Sequence, residues 1–234
     1  MNHTIICNFF KKKKQSKANK HKFRQNNSDV IKLKHQNSNE LYLKLKNFMA
    51  KYIDLEKNEW FEFSKYVYLT ALNKKEFFIK PNDRYKKIGF IINGLLRSFF
   101  ISEKGVEHTV NFYTDNDFMI YSKLLSDYHE KYFIEAVENT TILAINEDDF
   151  YFLMNNNIKW KIFLARITDK YYSHFIARIE TLLAFSAEQR YLSFYNNFNY
   201  KIHKIPQYQI ASYLGVTPVA LNRIIKKLEK NLKN

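Results

Sequence analysis

The sequence predicts an α+β fold: an antiparallel β-roll with flanking helices, then one long helix, then a C-terminal helix-turn-helix. Three observations predict it. Short β-type runs broken by turn residues fill the middle of the chain, and an uninterrupted helical pattern follows from Ile158 to Phe185. The last segment combines a glycine turn with two short helical stripes. We therefore expect segments at residues 1–39, 40–157, 158–185 and 186–234.

Composition excludes several classes of protein. The chain has 234 residues, of which 46% are hydrophobic, and it contains 4 glycines and 1 cysteine, Cys7. A single cysteine excludes a disulfide framework, a structural zinc site and a cysteine-held iron–sulfur cluster. No apolar run approaches the roughly 18 residues that a membrane helix needs. We therefore expect a cytoplasmic protein that has no cofactor and binds no membrane.

The net charge of +15 is concentrated at the two ends of the chain. Residues 1–39 have a net charge of +9, residues 199–234 have +6, and the region between them is neutral. This distribution is typical of a globular body with a polyanion-binding terminus. Residues 1–39 also show no hydrophobic periodicity after Phe10, which predicts a disordered basic arm.

The strands of the roll are predicted from short apolar runs with a spacing of about 8–12 residues, which is typical of an antiparallel sandwich or barrel. Asn93-Gly94 predicts a tight hairpin because both positions tolerate positive φ, and Lys104-Gly105 predicts the next hairpin. A helical stripe from Leu41 to Ile53 and a short helix at Glu59–Tyr66 precede the strands. The predicted strands are Tyr66–Leu72, Phe77–Ile79, Ile88–Ile92, Leu95–Ile101, Glu107–Tyr113, Tyr132–Val137 and Thr141–Ile145.

Helices are predicted after the strands, at Asp148–Asn155, Ile158–Phe185 and Ala187–Asn197. The long helix would extend for roughly 40 Å, which is more than one small barrel can cover. This length favours pairing with the same helix of a second chain. The residues expected on this dimer seam are Trp160, Leu164, Ile167, Tyr171, Phe175, Ile179 and Leu182.

Residues 207–228 have the pattern of two helices joined by a tight turn. Ala211 is small enough for the second helix to approach the first, and Gly215 supplies the left-handed turn conformation. Thr217 is placed to cap the second helix, and Pro218 suits its first turn. The inner face of the second helix is expected to consist of Leu221, Ile224, Ile225 and Leu228.

The opposite face of this second helix is polar and cationic, which suits the major groove of double-stranded DNA. Arg223 is the candidate for direct base contact because arginine pairs bidentately with guanine. Asn222 could read adenine, or it could be a surface residue or a phosphate contact. Phosphate contacts are expected from Thr217, Lys226, Lys227 and Lys230.

These features together resemble the Crp/Fnr family of bacterial transcription regulators over about residues 41–228. Three pieces are similar to the branch found in Bacteroidetes-type bacteria: Asn93-Gly-Leu-Leu-Arg-Ser98, Lys104-Gly-Val-Glu-His-Thr-Val110 and Ile210-Ala-Ser-Tyr-Leu-Gly-Val-Thr-Pro218. The resemblance implies a roll shaped like a cyclic-nucleotide-binding domain and a homodimer on a palindromic operator. It implies a non-enzymatic protein whose partners are double-stranded DNA and, as a candidate, RNA polymerase.

The cyclic-AMP binders of this family hold their ligand with a Gly-Glu pair and an Arg-Ser pair. These pairs would fall near Ile120-Tyr121 and Glu130-Lys131, so neither the carboxylate nor the arginine is in place. A lone lysine lacks the forked geometry of arginine. We therefore expect no cyclic-AMP binding, and Tyr121 and Lys131 are the candidate residues of an altered effector pocket whose ligand the sequence does not identify.

Two other classes of function compete with this interpretation. A β-barrel enzyme with a metal would need several converging histidines, and the strand region has only His108 and His129, without paired spacing. No glycine-rich phosphate loop or catalytic triad pattern occurs elsewhere. The open alternative is a ligand-sensing or protein-interaction module of the same fold without specific DNA binding.

Overall fold

The computed structural model describes residues 35–83, 86–120, 131–198 and 200–231 and confirms the predicted α+β fold. Helices occupy both ends of this part of the chain, and antiparallel strands occupy its middle. The helices are α1 (His35–Met49), α2 (Lys57–Ser64), α3 (Glu147–Asn156), α4 (Ile158–Ala184), α5 (Ala187–Phe198), α6 (Gln207–Leu214) and α7 (Pro218–Asn231), with a 3₁₀ turn at Ile202–Lys204. The strands are β1 (Tyr68–Leu72), β2 (Phe77–Ile79), β3 (Lys87–Asn93), β4 (Leu96–Ile101), β5 (Glu107–Tyr113), β6 (Phe118–Met119), β7 (Phe133–Ala136) and β8 (Thr140–Asn146).

The ends of the predicted elements agree with the structure to within two residues, apart from the first helix and β6. Strand β6 was not predicted, because two residues are too few to show an alternating pattern. Helix α1 begins at His35, so residues 35–39 are helical and do not belong to a disordered arm. The rest of the predicted arm, residues 1–34, lies outside the described residues.

The strands form two four-stranded antiparallel sheets, in the order β1-β8-β3-β6 and β2-β7-β4-β5. Strand β8 is central in the first sheet, where Ala144 lies opposite Tyr68 on one side and Gly89 on the other. Strand β5 is at the edge of the second sheet and pairs only with β4. The connection from β3 to β4 leads from one sheet to the other, which makes the strands a roll and not a flat meander.

The predicted tight hairpin at Asn93-Gly94 is wrong, because β3 and β4 belong to different sheets. The chain crosses between the sheets at Gly94, which has a φ of 136°. A Cβ added to Gly94 would lie 2.6 Å from the Cα of Thr140, so no side chain fits there. Glycine is therefore required at this position by close approach of the backbone and by its φ, and not by a hairpin turn.

The second predicted hairpin, at Lys104-Gly105, is confirmed. Strands β4 and β5 are paired up to Ile101 and Glu107, and the Ser102 N–H donates to the Val106 carbonyl at 2.9 Å. Gly105 has a φ of 75°, the left-handed conformation that the turn requires. Positive φ was the correct reason for a glycine here and only part of the reason at Gly94.

The core consists of three clusters that join the roll to helices at both of its ends. The first packs α1, α2, α3 and the beginning of α4 against the first sheet, and it is mainly aromatic. In it Phe63 stacks on Trp160 with ring centroids 4.6 Å apart, and Phe118 meets Phe163 edge-on at 5.1 Å. A second cluster fills the space between the sheets. The third packs the C-terminal helices against three residues of the roll, Leu95, Phe112 and Val137.

Candidate nucleic-acid interface

Helices α6 and α7 are joined by a tight turn that has the predicted conformation. Gly215 has φ 66° and ψ 36°, which glycine adopts without strain. The Ala220 N–H donates to Thr217 Oγ1 at 3.1 Å, and this hydrogen bond caps the start of α7. Ala211 is completely buried where the two helices pack. The predicted turn, cap and close helix packing are therefore confirmed.

Helix α7 has an inner and an outer face, as predicted. Leu221 is completely buried, and Ile224, Ile225 and Leu228 are partly buried. All of the predicted DNA contacts on α7 are exposed, and they lie on one accessible surface. We call this surface the basic face: Asn222, Arg223, Lys226, Lys227 and Lys230, with the exposed Thr217 beside its first turn.

One member of the basic face has an ion-pair partner. Lys227 Nζ lies 2.6 Å from Glu188 Oε2 of α5, and both side chains are substantially exposed, so the pair stabilises the fold very little. The other cations of the face, Arg223, Lys226 and Lys230, form no salt bridge with any residue that the structure describes. Their charges are therefore more available to phosphates than that of Lys227.

Val219 is a candidate contact that the sequence interpretation missed. It is 63% exposed at the second position of α7, away from the buried inner face. A recognition helix brings its first residues closest to the base edges, and an apolar side chain there can contact a thymine methyl group. The sequence contained a signal for its exposure, because a valine two residues before Leu221 lies off the apolar stripe that forms the inner face.

Helix α6 is docked on the free edge of β5. The Thr109 N–H donates to the Ser212 hydroxyl at 2.9 Å, and this hydroxyl donates to the Glu107 carbonyl at 3.1 Å. One serine thus satisfies two backbone groups of a strand that has no further strand partner on that side. The contact fixes the helix-turn-helix against the roll and leaves the basic face exposed.

Lys201 forms a buried junction between the roll and the C-terminal helices. Its side chain is only 7% exposed, and its Nζ lies 2.7 Å from Asp115 Oδ1 and 3.1 Å from Glu138 Oε1. It also donates to the Gly94 carbonyl at 2.6 Å. Burial disfavours the charge of Lys201, but the hydrogen bond with Asp115 and the attraction of both carboxylates outweigh burial and raise its pKa. Sequence reasoning missed this junction because Asp115 and Gly94 lie 86 and 107 residues away along the chain.

Helix α4 is divided into a buried half and an exposed half, which corrects the predicted dimer seam. The roll of the same chain covers the first four members of the stripe: Trp160, Leu164, Ile167 and Tyr171. Trp160 and Ile167 are not available to a partner, because they are 2% and 0% exposed, whereas Leu164 and Tyr171 are only partly buried and their place in the seam stays a prediction. The last three members, Phe175, Ile179 and Leu182, are 46%, 51% and 40% exposed. For these three the dimer seam stays a prediction.

The predicted effector pocket falls mostly on residues that the structure does not describe. Tyr121 and Glu130 lie outside the described residues. Lys131 is exposed, and its Nζ lies 5.3 Å from the centre of the Phe100 ring. Whether these residues bind an effector stays a prediction.

The described part of the chain has no group of three or more His, Cys, Asp or Glu side chains that could hold a metal ion. His108 stacks on Phe100 with ring centroids 5.1 Å apart, and His129 lies outside the described residues. Among these same residues, no helix has both the length and the apolar character that crossing a membrane requires.

Comparison with known proteins supports the resemblance at the level of the roll. Residues 69–157 match the family model of the cyclic nucleotide-binding domain. This stretch begins in β1 and ends just after α3, so it covers the roll and its following helix. Among curated proteins, none matches the chain by sequence.

Several solved structures share the fold of nearly the whole described chain. A Crp/Fnr-family transcriptional regulator from Eubacterium rectale has a TM-score of 0.66 at 20% identity, over 79% of this chain and 88% of that one. FixK2 from Bradyrhizobium japonicum has a TM-score of 0.62 at 15% identity, over 70% of this chain and 85% of that one. The c-di-GMP-responsive global regulator CLP from Xanthomonas campestris has a TM-score of 0.60 at 11% identity, over 73% of this chain and 90% of that one. Residues 69–157 are therefore similar to a cyclic nucleotide-binding domain, and the chain has the fold of the Crp/Fnr regulators.

Proposed function

We propose that this protein is a transcription regulator that binds a palindromic DNA operator as a homodimer. The observation that carries the proposal is the basic face, an exposed row of cations on a capped helix that follows a tight glycine turn. Its setting supports the same conclusion, because the solved structures with this fold include transcription regulators. No catalytic role is assigned to any residue.

Two-fold symmetry is supported by the exposed half of α4. Phe175, Ile179 and Leu182 form an apolar stripe that the rest of the described chain leaves 40–51% exposed. A second copy of α4 would bury this stripe and place two α7 helices on one side of the dimer. Such a dimer reads two half-sites about 34–36 Å apart, one turn of the DNA helix.

Within each half-site the proposed roles follow from side-chain chemistry. Arg223 reads a guanine through its forked guanidinium, and Asn222 and Val219 contact neighbouring bases. Lys226 and Lys230 contact phosphates, where charge matters more than geometry. The Thr217 hydroxyl retains a donor for a phosphate oxygen, since its oxygen accepts the capping bond. Lys227 joins these contacts if DNA displaces Glu188 from it.

Replacement of Arg223 by alanine tests this assignment. Arg223→Ala should weaken binding to the operator by about 1–3 kcal/mol and relax the preference at one base pair per half-site. Lys226→Ala, the matched change one turn later, should weaken all sequences about equally and reduce the salt dependence of binding. The operator is first identified by recovering bound DNA fragments across the genome, and affinities are then measured at several salt concentrations.

Both variants should remain folded dimers, because neither side chain belongs to the inner face of α7. If Arg223→Ala keeps the same operator preference, specificity must instead come from Asn222, from Val219 or from DNA shape. Absence of any salt-dependent binding to duplex DNA would instead favour the alternative, a sensing or protein-interaction module of the same fold.

We further propose that the roll does not bind cyclic AMP. The positions where the family's cyclic-AMP binders carry a glutamate and an arginine hold Tyr121 and Glu130 here, and Glu130 would repel the cyclic phosphate. Calorimetry with cyclic AMP should therefore show no binding in the micromolar range. A clear isotherm that cyclic GMP competes away would show that this pocket has been placed on the wrong residues.

A further inference from the structure

The first turn of α7 presents an apolar surface at the start of the basic face. Pro218 and Val219 are exposed there, and the exposed fraction of Val219 is 63%. Ala220 is partly buried, and Leu221 is completely buried. None of these four side chains carries a hydrogen-bond donor or acceptor. The part of the helix that the proposed function places closest to the bases therefore offers them apolar groups.

Thr217, the residue before this turn, has a polar side chain that is already engaged in capping. Its Oγ1 accepts a hydrogen bond from the Ala220 N–H at 3.1 Å, which directs the oxygen toward the backbone of α7. The next polar side chains along the helix, Asn222 and Arg223, belong to the following turn. Base pairs opposite the first turn are therefore read by apolar contact and not by side-chain hydrogen bonds.

Helix geometry places Val219 beside Arg223. Residues four apart in an α-helix differ by about 40° in direction and by about 6 Å along the axis. Leu221 lies between them in sequence, is 0% exposed and points to the opposite side of the helix. Val219 and Arg223 thus share the exposed side of α7. Because base pairs are stacked about 3.4 Å apart, the two side chains reach base pairs no more than about two steps from each other.

The chemistry of the base edges decides what Val219 can recognise. The 5-methyl group of thymine is the apolar group that a base presents in the major groove, whereas guanine, adenine and cytosine present polar atoms there. A polar edge covered by the Val219 isopropyl group loses its water without gaining a hydrogen bond, which costs free energy. A thymine methyl group in the same place is removed from water, which is favourable. Val219 therefore favours thymine over the other three bases.

Val219 is also held firmly enough to discriminate between bases. Its branched side chain has one strongly preferred χ1 rotamer in a helix, so packing on a base costs little side-chain entropy. The backbone beneath it is fixed by the capping bond of Thr217 and by the left-handed turn at Gly215. Because valine carries no charge, its contact adds nothing to the salt dependence of binding. The contribution of Val219 is therefore to base selection and not to general affinity for DNA.

We propose that Val219 reads the 5-methyl group of one thymine in each half-site, within about two base pairs of the guanine that Arg223 contacts. This inference rests on the proposed function and adds to it the chemical group that the first turn of α7 recognises. Because 5-methylcytosine carries its methyl group at the same ring position, Val219 also favours 5-methylcytosine over cytosine at this site. Operator recognition thus depends on one pyrimidine methyl group as well as on hydrogen bonds.

Replacing each thymine of the operator in turn by deoxyuridine tests the proposal, because uracil lacks only the methyl group and keeps the same hydrogen-bonding groups. For the full wild-type chain, one thymine per half-site should be sensitive, and its replacement in both half-sites should weaken binding roughly tenfold. Val219→Ala should abolish this difference, and Arg223→Ala should retain it. Leu192→Ala is the matched control: it shortens an apolar side chain of α5 that is 41% exposed, and it should leave the deoxyuridine profile unchanged.

A second measurement on the wild-type chain compares cytosine with 5-methylcytosine at the sensitive position, where the methylated base should bind about fourfold more tightly per half-site. A flat deoxyuridine profile with intact operator binding would overturn this inference alone. It is also overturned if Val219→Ala keeps the wild-type profile, because the methyl group then acts through DNA shape. Loss of all salt-dependent binding of the wild-type chain to duplex DNA would instead overturn the proposed function itself.

Discussion

Ile167→Ala should lower the free energy of unfolding by about 2–5 kcal/mol, the usual loss when a buried isoleucine leaves a cavity. Ile167 is 0% exposed and belongs to the aromatic cluster between α4 and the roll. Urea unfolding followed by the fluorescence of Trp60 and Trp160, which both pack in the same cluster, measures the change. The loss should not depend on protein concentration, because the contacts of Ile167 are within one chain.

Ile179→Glu tests the exposed half of the same helix, twelve residues after Ile167. Ile179 is 51% exposed, so a glutamate there should leave the circular dichroism spectrum unchanged. Under the proposed function it places a charge in the dimer seam, and sedimentation should show monomers that have lost operator binding. A wild-type protein that sediments as a monomer at micromolar concentration would contradict the seam, while the prediction for Ile167 would still hold.

Lys201→Met should lower the free energy of unfolding by about 3 kcal/mol, as removal of one partner from a buried ion pair does. The variant leaves Asp115, Glu138 and the Gly94 carbonyl without their shared cation. Unfolding in urea is measured by circular dichroism, because the described chain contains seven α-helices whose loss gives a strong signal.

Lys204→Met is the matched control for the Lys201 junction. Among the described residues Lys204 pairs only with Glu138, and its side chain is 41% exposed, so its loss should cost less than about 1 kcal/mol. Equal effects of the two variants would contradict the central role of Lys201.

The junction should also weaken in acid. Burial alone would raise the pKa of Glu138, but its hydrogen bond with Lys204 and the attraction of Lys201 outweigh burial and lower it. A carboxylate with a lowered pKa contributes stability above its ordinary value of 4.5 and loses that contribution as the pH falls through its folded value. The difference in stability between wild type and Lys201→Met should therefore shrink as the pH falls below about 4.5.

Local patterns in the sequence predicted most of the elements and the faces of the last helix. The spacing of apolar residues predicts the inner face from Leu221 to Leu228, and these residues are buried or partly buried in the structure. Thr217 and Gly215 were also identifiable, because a cap and a left-handed turn depend on neighbours within a few residues. The exposure of every residue of the basic face could therefore be predicted, whereas the exposed Val219 beside it was missed.

Partners that lie far apart in the sequence could not be predicted in this way. Asn93-Gly94 has the composition of a hairpin, yet Gly94 serves a crossing between sheets that depends on the distant Thr140. The stripe of α4 is apolar along its whole length, but periodicity does not say that the roll covers only its first half.

Short-range sequence patterns specify the order of helices and strands, the turn and cap before α7, and the position of its cations. Each of these depends on residues a few positions apart, where backbone geometry sets the spacing. The packing of the folded chain sets which half of α4 is exposed and how Lys201 joins the roll to the C-terminal helices. These features arise where segments distant in sequence pack together, and single-chain periodicity contains no information about which segments meet.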